Sequence, residues 1–148
     1  DTELFAALRA KDASGVAELT ARLPAAWRDA LTALPTLYGP AQEVLAAARA
    51  RLPDTPAIRN ALAALTALAE SALPQVEALH IDLADLTGYH YQNGAIFSVF
   101  TAGEPCAIGN GGRYDGIGKA FGRARPATGF TLDLRQLAGV VGRSGADS

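Results

Sequence analysis

The chain has no methionine and a single cysteine, Cys106, in 148 residues. One thiol cannot close an internal disulfide, so packing alone must hold the fold, and a disulfide-stapled exported scaffold is excluded. A cytoplasmic location is the expectation that follows. Cys106 itself is expected to be a small buried hydrophobe rather than a nucleophile. Excess positive charge is also missing: the net charge is -2. No global field would gather nucleic acid, and a polyanion partner would need a local basic patch. Nor is there an apolar stretch of the ~20 residues that span a bilayer, or the basic-then-apolar order of a signal peptide. Neither nucleic acid nor membrane is therefore expected as a partner. The opening Asp1-Thr2-Glu3, without an initiator, raises the expectation of a piece of a longer product.

What is present is a 49% hydrophobic chain long enough to bury about 70% of the surface its unfolded form would expose. Its two halves obey different backbone rules. Thirteen of the fifteen glycines fall between Gly88 and Gly145. The earlier half is rich in alanine and leucine, with apolar residues at helical spacing, as in Ile58, Leu62, Leu65 and Leu73. Pro24, Pro40 and Pro56 stand where a first helical turn tolerates a missing N–H, and Thr55 is placed to cap the helix that Pro56 begins. Helices are predicted near 2–10, 13–22, 25–34, 40–51 and 56–72. Trp27 and Tyr38 are expected to fill the gaps that small residues leave.

After Pro74 the period changes to two. Leu79, Ile81 and Leu83 alternate with His80, Asp82 and Ala84, the pattern of a half-buried strand. The run 95–100 and the segment Cys106-Ala107-Ile108 are predicted as neighbouring antiparallel strands joined through a turn at 101–104. Asn93-Gly94 is a turn dipeptide that would equally suit a sharp bend at a strand entrance. A last strand at 128–132 leads into a helix at 134–141. The predicted class is α+β, with a helical region over 1–77 and a β-rich region over 78–148.

The most distinctive string is Gly109-Asn110-Gly111-Gly112-Arg113-Tyr114-Asp115-Gly116. Glycines remove Cβ bulk and let backbone approach a ligand closely, while Arg113, Tyr114 and Asp115 bring a fork of donors, a phenol and a carboxylate together. A loop of this kind suits a small polar ligand. Two phosphate-binding motifs are excluded by spacing. Gly118-Lys119 is followed by Ala120 rather than the Ser or Thr of a P-loop, and a dinucleotide fingerprint would need glycine where Tyr114 or Phe121 stands. Arg113, Lys119, Arg123 and Arg125 against Asp115 alone could equally attract an anion or form a solvated loop.

Three segments, in order, resemble the histidyl-tRNA synthetase family and its non-catalytic relatives. They are Gly88-Tyr89-His90-Tyr91-Gln92-Asn93-Gly94-Ala95-Ile96-Phe97, Gly111-Gly112-Arg113-Tyr114-Asp115-Gly116, and Ala127-Thr128-Gly129-Phe130-Thr131-Leu132-Asp133-Leu134. The resemblance covers about residues 78–141. It implies the C-terminal part of a class II aminoacyl-tRNA synthetase-like antiparallel sheet with a closing helix, preceded by a helical insertion.

The departures matter as much as the matches. Thr87 stands where the synthetases have an arginine that stabilises charge on the reacting carboxylate and phosphate, and Gln136 stands where an arginine holds ATP. Preorganised charge of this kind typically contributes ~10²–10³ in rate per group. Losing both implies no amino-acid activation, and the sequence also ends where the synthetases continue into an anticodon-binding domain. The resemblance thus implies the branch that couples to the short form of ATP phosphoribosyltransferase in the first step of histidine biosynthesis, with no catalytic residue, metal or cofactor of its own. Histidine is the implied effector, and the implied histidine-type pocket draws on Tyr91, Gln92, Arg113 and Tyr114. Gly111, Gly112, Asp115, Gly116 and Gly129 would shape its loop. A homo-oligomer is expected, because an incomplete sheet exposes an edge and an apolar face. The alternatives are a piece of an active histidyl-tRNA synthetase and, with less support, an unrelated nucleotide enzyme.

Overall fold

The computed structural model describes residues 2–87, 94–115, 122 and 126–146. The chain divides into two compact units, Asp1–Leu86 and Thr87–Ser148.

The first unit is built from α1 (Thr2–Arg9), α2 (Ala13–Leu19), α3 (Ala25–Ala33), α4 (Ala41–Arg51) and α5 (Pro56–Ala72), with short 3₁₀ turns at Leu34–Thr36 and Leu73–Gln75. The helix starts follow capping chemistry. Asp12 accepts from the Gly15 N–H at 2.9 Å to begin α2, and Thr55 accepts from the Ile58 N–H at 3.3 Å to begin α5. Each cap satisfies an N–H that the first turn leaves without a helical acceptor. The core gathers Ala33, Leu37, Ala41, Val44, Leu45, Ala48, Leu62 and Ala69, all buried. Four of these eight are alanines, so the helices already meet closely. That explains why Trp27 and Tyr38, expected as gap fillers, are instead 44% and 58% exposed: there is no gap to fill.

Two short strands, β1 (Tyr38–Pro40) and β2 (His80–Asp82), form an antiparallel ribbon in register Tyr38↔Asp82, Gly39↔Ile81, Pro40↔His80. Period-two alternation foretells β2 but not β1, because Tyr-Gly-Pro has the composition of a turn. The pairing is extended by hydrogen bonds from Ala41 N to Leu79 O and from Leu83 N to Leu37 O, both 3.0 Å. Leu79, Ile81 and Leu83 are thereby laid against the helical core. Lys11 fastens the α1–α2 turn to this ribbon. It adopts positive φ, +55°, with its ammonium 2.7 Å from Asp82 Oδ2 and 4.5 Å from the centre of the Tyr38 ring.

The second unit holds a three-stranded antiparallel sheet in the order β3 (Ile96–Val99), β4 (Gly109–Tyr114), β5 (Ala127–Leu132), followed by α6 (Leu134–Ala146). The glycine-rich string is thus not a loop after a strand. Through Tyr114 it is the central strand of the sheet, hydrogen-bonded on both sides. The predicted strand 106–108 is instead the bend that leads into it, tied by Ile108 N to Val99 O at 2.8 Å. Cys106 lies exposed on this bend, which corrects its expected burial. The turn at 101–104 is present, with Glu104 N donating to Thr101 O, and Glu104 is paired with Arg143 of α6. Asn93 lies outside the described residues. Asp133 caps α6, its Oδ1 accepting from the N–H groups of Arg135 and Gln136 at 3.0 and 3.1 Å. The class is α+β, as the composition implies. No helix among the described residues is long and apolar enough to cross a membrane.

Candidate functional site

Side chains alternate across a strand, so β4 sorts the distinctive string onto two faces. Gly109, Gly111 and Arg113 share one face, and Asn110, Gly112 and Tyr114 share the other. Register extends each face across the sheet. On the Gly111 side stand Phe97 and Val99 of β3 and Phe130 and Leu132 of β5; on the Tyr114 side stand Ile96, Ser98, Ala127, Gly129 and Thr131. The first face is mainly apolar and aromatic, with Arg113 and Thr128 at one end; the second carries Ile96 and Tyr114 among small and polar residues.

The glycines make both faces possible. A Cβ built at Gly111 would lie 2.5 Å from the Gly129 carbonyl oxygen and 2.5–2.6 Å from the Phe97 ring. Glycine is required there because the ring packs directly on the backbone. On the other face, a Cβ at Gly129 would touch the Tyr114 ring at 3.4 Å. Tyr114 therefore leans over the position opposite Gly112, and its ring forms a wall above a floor without side chains.

Arg113 and Tyr114, adjacent in sequence, are not brought together by the strand. The Arg113 Nε lies 2.8 Å from Asp115 Oδ1, with the two side chains 52% and 33% exposed. A pair so open to solvent contributes little stability, typically ~0–1 kcal/mol, and orients the strand end more than it strengthens it. Tyr91, Gln92 and Gly116 lie outside the described residues, as do Lys119, Arg123 and Arg125.

Of the two positions where the resemblance implies arginines in the synthetases, Thr87 is exposed in a turn. Gln136 sits in the first turn of α6, and its Oε1 is buried without a hydrogen-bond partner. Neither supplies positive charge. Among the described residues no group of three or more His, Cys, Asp or Glu could hold a metal ion. Sequence patterns alone did not reveal the pair Ser98–Asn110, whose side chains are hydrogen-bonded across β3 and β4 at 2.7 Å. Their partnership depends on register, which becomes available only once the glycine string is recognised as a strand.

Comparison with known proteins agrees with this architecture. The family model described as histidyl-tRNA synthetase matches residues 1–137. An ATP phosphoribosyltransferase regulatory subunit of Ralstonia nicotianae is 59% identical over 138 residues, covering 93% of this chain and 35% of its own length. Another, from Thiobacillus denitrificans, is 59% identical over 135 residues, covering 91% of this chain and 41% of its own. This chain thus spans between a third and a half of the length of these relatives. Among solved structures, an ATP phosphoribosyltransferase regulatory subunit/histidyl-tRNA synthetase from Bacillus halodurans C superposes with a TM-score of 0.72 at 27% identity, over 90% of this chain and 36% of the other. With the antiparallel glycine strand, the capped helix after it and a family match over nearly all of its residues, the chain belongs to the histidyl-tRNA synthetase family.

Proposed function

We propose that this chain is part of a regulatory subunit without catalysis of its own, one that short-form ATP phosphoribosyltransferase requires for activity and through which histidine restrains the first step of histidine biosynthesis. The observation that carries this reading is the 59% identity, across nine-tenths of the chain, with relatives named as that regulatory subunit. The site chemistry supports it. Adenylation needs cations aimed at charge that grows in the transition state, and Thr87 and Gln136 are neutral. In this reading Tyr114, with Tyr91 and Gln92, lines a histidine-type pocket. The Arg113–Asp115 pair braces the end of β4, Gly111 makes room for the Phe97 ring on the opposite face, and Gly112, Gly116 and Gly129 shape the chain around the pocket. The region 1–77 serves as a helical insertion and 78–148 as part of the synthetase-like core, in a cytoplasmic homo-oligomer bound to the catalytic chain. Histidine would act on that chain through a coupling free energy, typically ~1–3 kcal/mol.

The test is to mix the full-length protein with separately purified short-form ATP phosphoribosyltransferase and measure its rate with and without histidine. A rise in rate on mixing, with inhibition by histidine only in the mixture, is expected; an unchanged rate and histidine sensitivity would sink the proposal. The second reading, a catalytic synthetase, draws on the description of the matching family. Histidine-dependent exchange of pyrophosphate into ATP would establish it in place of the first.

A further inference from the structure

The face of the sheet that carries Tyr114 holds a second feature. Asn110 of β4 lies on that face, flanked by its register partners Ser98 on β3 and Thr131 on β5. The three form a polar row across the sheet, and all are exposed. Ser98 Oγ donates to Asn110 Oδ1 at 2.7 Å. With its oxygen engaged, the Asn110 amide turns its two N–H donors away from Ser98, and no described residue accepts them. Thr131 adds a hydroxyl on the neighbouring strand, within the spacing of a cross-strand pair.

The next rung along the same face is Gly112 opposite Gly129, against which the Tyr114 ring rests. Ring and polar row are therefore separated by one same-face repeat, roughly 6.6–7 Å. Between them the floor is glycine, Gly112 buried and Gly129 half-buried. A ligand that fits has a flat or polarisable group at one end and hydrogen-bond acceptors at the other, at about the span of one amino acid.

We propose that Asn110, oriented by Ser98 and assisted by Thr131, anchors the α-carboxylate of an amino acid whose side chain lies against Tyr114. This rests on Tyr114 being a wall of the histidine-type pocket proposed above. The chemistry favours a carboxylate because the row offers donors, and a hydrogen bond to an ionised acceptor is about twice as strong as one to a neutral group. Neutral donors hold the carboxylate without the positive charge that would stabilise a reacting adenylate. Such a site binds and releases; it does not activate.

The experiment is calorimetric titration of the full-length protein with L-histidine and with L-histidinol, which has a hydroxymethyl group in place of the carboxylate. Asn110→Asp, nearly isosteric and exposed, is expected to weaken histidine binding roughly tenfold to a hundredfold while leaving histidinol binding unchanged. Asn110→Ala and Thr131→Val should show the same selectivity with smaller losses, and they serve should the aspartate variant fold poorly. Equal losses for both ligands would overturn the carboxylate assignment. So would histidine binding that survives all three substitutions; if Tyr114→Ala still abolished it, the pocket would stand without this anchor. A wild-type protein that binds no histidine would remove both.

Discussion

Replacing Gly111 by alanine tests whether the glycine strand is a structural requirement. The added methyl would fall 2.5 Å from the Gly129 carbonyl oxygen and 2.5–2.6 Å from two atoms of the Phe97 ring. Both distances are about 1 Å inside ordinary contact, which begins near 3.5 Å. The two obstacles differ in kind. Phe97 is 49% exposed and its ring can swing outward, but the Gly129 oxygen belongs to the backbone of β5 and moves only if the strand pair spreads. Overpacking of this sort costs about 1–3 kcal/mol, while exchanging glycine for alanine recovers about 0.4–1 kcal/mol from the unfolded chain. The expected net loss is about 1–2 kcal/mol, read as a fall in the urea midpoint at constant slope. Gly142→Ala is the matched control. A Cβ at Gly142 meets nothing within 4 Å, and in a helix interior the change should stabilise by about 0.5–1 kcal/mol. Adding Phe97→Ala to Gly111→Ala should recover only part of the loss if the carbonyl is the main obstacle. A Gly111→Ala protein as stable as the wild type would refute the argument.

Three further outcomes are expected. Thr55→Ala removes the cap on the Ile58 N–H and should lower stability by about 1 kcal/mol in the same denaturation assay. Gln136→Leu replaces a buried oxygen that has no partner and should be neutral or stabilising by about 1 kcal/mol; a clear loss would mean that Oε1 is satisfied after all. A double-mutant cycle between Lys11→Met and Asp82→Asn should give a coupling of about 0.2–1 kcal/mol that shrinks in high salt, because the pair is partly exposed.

Much of the first unit is legible in its sequence because its rules are local. Proline at first turns, Thr55 before Pro56 and apolar residues at helical spacing each act within a few positions, and the helices lie close to their predicted spans. The strand Tyr38–Pro40 was not legible. A tyrosine, a glycine and a proline carry no strand signal, and the segment is extended because β2 supplies partners for its backbone. The same cause hid the nature of 109–114. Glycine has low strand propensity in isolation, yet here it is demanded by what lies across the sheet. Resemblance singled out Tyr114, Thr87 and Gln136 as candidates. It did not separate Arg113 from Tyr114 onto opposite faces, because that separation follows from pairing.

Glycine fills three of the six positions in β4, so the strand offers few side chains by which its neighbours can recognise it. A slip of one residue would send Asn110 and Tyr114 to the side of Phe97 and turn the polar face greasy. Two contacts oppose that slip, one on each surface: the Phe97 ring seated on Gly111 and the Ser98–Asn110 hydrogen bond. They act as separate locks, one tolerant of salt and one tolerant of small shifts in packing. The alignment of this central strand is therefore encoded mainly in the strands beside it, and a change in either neighbour can misplace residues that it never touches.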